Sequence, residues 1–160
     1  MLRSMNPKRG SIVLLMATVL SSASALADPS RPALEDVRQP PSAMTPEGEY
    51  NRGIRARVAS DWAAAEAAFR SALVLRPTFP EAWSELGYAL RNQGRYQESL
   101  VAYDKALRLR PDFPEALEYL GEAYVKLRRL DDARRILDRL RPLDGKRAEE
   151  LDEVIRSEAR

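Results

Sequence analysis

Three glutamates, Glu115, Glu118 and Glu122, recur at spacings of three and four residues, which lays their carboxylates along one side of a helix. Such a row could hold a hard cation or meet a basic partner. Calcium sites usually draw their oxygens from a looped backbone, and the D-x-D-x-D-G pattern of such a loop is absent. The row therefore reads as solvated or partner-facing. The arginines Arg128, Arg129, Arg134, Arg135, Arg139 and Arg141 are the second charged feature. A phosphate-binding patch would use such residues. Here Asp131, Asp132 and Asp138 interleave with them, and mixed signs along a helix mark a solvated face.

Little else in the chain suits catalysis. It has no histidine and no cysteine, which removes thiol nucleophiles, disulfides, haem or lipid attached to cysteine, and imidazole metal ligands. No P-loop, G-x-G-x-x-G or G-x-S-x-G motif occurs. The reading is of a protein that is not an enzyme and takes no cofactor or metal. Its formal charge of +2 and pI near 9.0 do not argue for nucleic acid. Three of the 26 basic residues and none of the 24 acidic ones lie in residues 1–27. Without that stretch the balance is 23 against 24, a net of −1.

The elements that would position any surface side chain come from a period. The run Pro80 to Pro111 reads PEAWSELGYALRNQGRYQESLVAYDKALRLRP. Trp83, Leu86, Gly87 and Leu90 fall at helical spacing, Gly94 interrupts, and Tyr96, Ser99, Tyr103 and Ala106 begin a second amphipathic helix. Gly87 and Ala106 are small enough for two antiparallel backbones to approach, with Trp83, Leu86, Leu90, Leu100, Tyr103 and Leu107 filling the space around them. Steps of 34 residues repeat the pattern. Gly53, Gly87 and Gly121 are in register, as are Phe69, Tyr103 and Leu137, and Pro80-Glu81-Ala82 matches Pro114-Glu115-Ala116. Helices are predicted near 46–58, 61–75, 80–92, 95–109, 114–127 and 131–140. Thr45 would cap the first, with Pro46 in its opening turn. A further helix over 144–160, capped by Asp144, carries an apolar stripe of Ala148, Leu151, Val154 and Ile155. Its other residues, Arg147 among them, are expected to face water. It would cover the apolar end of the stack.

The period and the W-x-x-L-G…Y…A…P pattern, carried by Trp83, Leu86, Gly87, Tyr96, Tyr103, Ala106 and Pro111, strongly resemble the tetratricopeptide repeat. The resemblance covers roughly Thr45 to Arg141. It implies an all-α fold, a right-handed α-solenoid of three helix pairs (about 46–79, 80–113 and 114–143, within 45–143) with 144–160 as a capping helix. Glu49 and Arg52 depart from the family's apolar columns, which suggests an exposed opening helix. Leu140 stands in a small-residue column, and Pro142 comes early.

The resemblance also implies a site. The first helix of each pair would line a concave groove presenting Glu47, Tyr50, Ile54 and Arg57, then Glu81, Ser84, Tyr88 and Arg91, then Glu115, Glu118, Glu122, Val125 and Lys126. Tyr50 and Tyr88 are candidate anchors, since tyrosine offers area and a hydrogen bond at low entropy cost. Packing within the repeat is the other reading of Tyr88. Arg57 and Arg91 would form a basic stripe, with Glu118 and Glu122 making the far end acidic. Family members that grip a C-terminal carboxylate use asparagines and lysines in this groove, and Ile54, Tyr88 and Glu122 occupy a slot where one such asparagine would sit.

Residues 1–27 read as a signal peptide: Arg3, Lys8 and Arg9, then an apolar core from Ile12 to Leu20, then Ala25-Leu26-Ala27 before Asp28. The core is about half of the ~20 residues needed to cross a bilayer. The mature chain would begin at Asp28 and be exported, to the periplasm or beyond. Residues 28–44, with Pro29, Pro32, Pro40 and Pro41, read as a disordered linker. Together these features describe a non-catalytic protein–protein interaction module, an adaptor or assembly factor of the bacterial periplasm or cell envelope. It would bind a polypeptide segment, not nucleic acid, and make no stable membrane insertion once cleaved. A self-associating scaffold stacked through its repeat ends is the alternative.

Overall fold

The computed structural model describes residues 44–159. The expected leader and the proline-rich segment up to residue 43 lie outside these residues. The described chain forms seven helices and no strand: α1 Pro46–Val58, α2 Trp62–Leu75, α3 Pro80–Asn92, α4 Tyr96–Leu109, α5 Pro114–Lys126, α6 Leu130–Leu140 and α7 Gly145–Glu158.

Local chemistry sets the ends. Thr45 Oγ1 accepts from the Gly48 amide at 3.0 Å, and Asp61 and Asp144 cap α2 and α7 in the same way. Proline opens α1, α3 and α5, where its missing N–H costs no intrahelical bond. The turn inside each pair is one conformation used three times. Ser60, Gly94 and Arg128 have φ of 57°, 75° and 60°. The next amide bonds back to the carbonyl five residues earlier: Asp61 to Ala56, Arg95 to Leu90 and Arg129 to Tyr124.

Consecutive helices pack as neighbours, and α3 also touches both α1 and α5. The first helices of the three pairs therefore share one face. Helix α7 packs on α5 and α6 together. Side chains from α2 to α4, among them Phe69, Leu73, Leu86 and Leu90, make one core. Tyr103, Leu117, Leu137, Leu151 and Ile155 belong to a second that runs on to α7.

Several expectations change in detail. Gly87 meets the ring of Tyr103 instead of the Ala106 backbone: a Cβ built on it would lie 2.5 Å from Tyr103 Cε1. Gly53 and Phe69 repeat this contact. Glu49 is buried and ion-paired with Arg52, so the opening helix hides a polar residue where exposure was expected. Trp83 is only partly buried, because its indole N–H donates to the Pro77 carbonyl at 2.8 Å and the Lys105 ammonium lies 4.2 Å over its ring. Arg147 turns inward from α7 to Glu118. The arginines of α6 do face water, Arg134 and Arg135 held by Asp131 and Asp132 one turn away and Arg139 donating to the Pro111 carbonyl.

Candidate functional site

The face shared by α1, α3 and α5 is built around Tyr88. Its ring sits between two guanidinium groups, Arg57 at 5.3 Å and Arg91 at 5.1 Å from the centroid. It also packs on Trp62 of α2 at 5.8 Å and on Tyr119 of α5 at 4.9 Å. Arg91 lies over Tyr119 as well, at 5.4 Å. Cations stacked on aromatic faces are attracted by the ring quadrupole. Helix spacing explains the arrangement: Arg57 and Arg91 hold the same repeat position, and Tyr88 lies one turn before Arg91.

Each arginine also meets a carboxylate from a neighbouring helix. Arg91 is ion-paired with Glu122, and Arg57 Nε stands 3.3 Å from Glu85 Oε2. The second pair is buried and poorly made, since neither of those two atoms has a hydrogen-bond partner. Burial pushes the Glu85 carboxyl up to about 7; Arg57 opposes the shift and Glu115 adds to it. Burial, helped by Glu85, Glu115 and Glu81, raises the Tyr50 phenol to about 12. Burial, then Glu115 and Glu85, also raise Tyr119, whose hydroxyl donates to Glu115 Oε1 at 3.2 Å.

A cavity of about 410 Å³ opens at the C-terminal end of α3 and α5. Arg91, Asn92, Tyr96, Glu122, Lys126 and Val154 line it.

Known repeats share this plan. Residues 87–127 match a family model described as TPR repeat, and residues 68–100 match one described as tetratricopeptide repeat. Together the two matches span residues 68–127. Among curated proteins none matches the chain. Solved structures do. The TPR2B domain of yeast Sti1, in a pHsp70 complex, has a TM-score of 0.69 at 23% identity over 73% of this chain and 98% of that one. The TPR domain of Arabidopsis OM64 gives 0.67 at 18% identity, covering 70% and 94%. The Yersinia enterocolitica type III secretion chaperone SycD, in complex with a peptide of the translocator YopD, gives 0.64 at 16%, covering 71% and 94%. At these identities the likeness is one of fold, an all-α tetratricopeptide solenoid.

Within the tetratricopeptide plan the expected groove residues divide. Tyr88, Arg57 and Arg91 come together as described, and Lys126 is exposed at the cavity. Tyr50 packs on Phe69 and Phe79, with centroids 5.7 and 5.1 Å away, and Ile54 joins the same core. Glu81 is bound to Arg110, as Glu47 is to Arg76. Several expectations are corrected. Val125 is fully buried in the core and lines no groove. Ser84 is 1% exposed; it faces the helix packing and cannot greet a partner. Glu118 is buried against Arg147 of α7, so the far end is not acidic. The basic stripe is likewise neutralised, because Glu85 and Glu122 answer Arg57 and Arg91. Sequence reasoning did not place Glu85, Tyr119 and Arg147 at the site. Each lies past the helix pair that holds Arg57, Tyr88 or Glu118, at a spacing short of the 34-residue period, and repeat register alone does not say which neighbour a side chain meets.

Proposed function

We propose that this chain is a non-catalytic interaction module that holds a segment of another protein against the face of α1, α3 and α5. The observation that carries the reading is the partly exposed Tyr88 ring between Arg57 and Arg91, beside Tyr119. Tyrosine and arginine in such settings dominate polypeptide interfaces. The adjoining cavity adds space for a side chain, with Lys126 and Asn92 at its edge. Two structural relatives support the same use of the fold: Sti1 TPR2B forms a complex with pHsp70, and SycD with a YopD peptide.

The leader-like residues 1–27 support export, and an adaptor or assembly factor of a cell envelope is the role we assign. A photocrosslinking residue at Asn92, on the cavity, should trap a defined polypeptide in cells producing the chain. The same residue at Arg134 on α6 should trap little. Equal adducts from both positions would refute the assignment of the face.

A further inference from the structure

The second helices of the pairs carry a surface of their own. The backbones of α1, α3 and α5 touch in turn, but those of α2 and α4 do not meet. Trp83 of α3 shows through the gap between them. It lies five residues before Tyr88, about 140° away around the helix, so the two rings serve different sides of the repeats. One repeat later the same position is Leu117, which is fully buried.

Three shallow hollows adjoin the Trp83 ring, of about 270, 220 and 300 Å³. Val74 lines the first, Val101 the second and Leu109 the third, and these side chains are 81%, 56% and 41% exposed. Val101, Lys105 and Leu109 step along α4 four residues apart, which makes about 12 Å of groove wall. Large apolar side chains grouped over one open groove mark an interaction surface. Each hollow is at or below the low end of a small-molecule pocket, about 300–1,000 Å³. A row of them suits successive side chains of a segment better than one compact ligand.

Charge decides the partner. Glu98 at the second hollow is held by Arg95, and Arg70 by Glu66. Lys105 stands 4.2 Å over the Trp83 ring, and Arg108, next to Leu109, is exposed at the third hollow. Among the described residues neither of these two cations meets a carboxylate. The groove thus has an apolar floor and an unmatched positive wall, and its complement is an apolar stripe flanked by acids.

We infer that the α2–α4 groove is a second docking surface, for an acidic amphipathic segment of a partner protein. Bulky apolar side chains of that segment fill the hollows around Trp83, and its carboxylates answer Lys105 and Arg108. With the face of α1, α3 and α5 on the other side, the chain can join two polypeptides at once.

The test uses the full chain and three defined peptides of about 18 residues, five helical turns. The first has a helical stripe of leucine and phenylalanine with glutamate elsewhere, the second replaces glutamate by lysine, and the third scrambles the first. In NMR the acidic peptide should shift the Trp83 indole N–H and the Val101 methyls saturably and leave the Tyr88 ring unmoved. The lysine and scrambled peptides should bind about tenfold more weakly or worse. Val101→Asp and Arg108→Glu, both at exposed positions, should keep the melting temperature and weaken the acidic peptide about tenfold or more. Arg108→Glu should also narrow the preference over the lysine peptide. Absence of saturation, equal affinity for all three peptides, or indifference to both variants overturns the docking surface. Shifts at Tyr88 in place of Trp83 put the peptide on the other face and overturn this surface alone. A dimer of the parent chain in sedimentation that Val101→Asp dissolves makes the occupant a second copy. Dodecanoate that displaces the peptide with equal affinity makes it a lipid tail. Either result overturns a partner segment.

Discussion

Leu151 of α7 lies so close on Gly121 of α5 that a Cβ built on the glycine would come within 2.5 Å of Leu151 Cδ2. In the first two pairs the equivalent glycine receives a ring from its own partner helix, Phe69 or Tyr103. In the third, a side chain from outside the repeats takes that place. Helix α7 is thus part of the packing of the last pair.

Removal of residues 144–160 should therefore lower stability and promote aggregation, since Leu140, Leu137 and Gly121 would lose their cover. Leu151→Ala alone should cost about 2–5 kcal/mol, the usual range for a buried leucine. Chemical denaturation measures both. A soluble truncation with unchanged melting would show α7 to be a free tail.

The repeated turn offers a gain. Ser60 holds a φ of 57° where the second repeat has Gly94. A left-handed conformation costs a non-glycine residue roughly 1–2 kcal/mol, offset partly by the greater chain entropy of glycine when unfolded. Ser60→Gly should raise stability by up to about 1 kcal/mol, and Gly94→Ala should lower it by a similar amount. Thermal melts with opposite signs at the two sites are expected; a loss on Ser60→Gly would contradict the strain.

The fold and much of its detail were legible in the sequence. The 34-residue period for α1 to α6, and the Asp144 cap and apolar stripe for α7, placed every helix within one residue at its start, because amphipathic spacing, proline and capping residues all report local structure. The site was less legible. Tyr88, Arg57 and Arg91 share a face by simple helical spacing, so their meeting followed from register. The burial of Ser84, the inward turn of Arg147 and the crossing of Glu85 to Arg57 depend on how far neighbouring helices are offset. Nothing in a repeat pattern encodes that offset.

Glu85 should leave a signature in pH. Its carboxyl is raised from an ordinary 4.5 to about 7, first by burial. The folded state therefore holds the proton more tightly than the unfolded chain does. Its contribution is fully present below about pH 4.5 and is lost as pH rises through about 7. Glu85→Gln mimics the protonated form. It should match the parent near pH 4 and exceed it above pH 8, by an amount on the order of 3 kcal/mol at most. Denaturation curves at the two pH values give the comparison; a variant less stable at pH 8 would mean that the ion pair with Arg57 outweighs burial.

The central claim is that the α1, α3 and α5 face binds polypeptide, and the most direct measurement is calorimetric affinity of one dodecapeptide, selected on the full chain from a random library, for three variants. Arg91→Ala and Tyr88→Ala should each weaken binding by about 1–3 kcal/mol, as anchor residues do, with helicity followed by circular dichroism. Tyr88 touches Trp62 and Tyr119, so Arg91→Ala carries the comparison if Tyr88→Ala unfolds. Arg134→Ala, on exposed α6, should change affinity little. Loss of binding in Arg134→Ala with full binding in Arg91→Ala would contradict the account and move the site to the opposite side of the repeats.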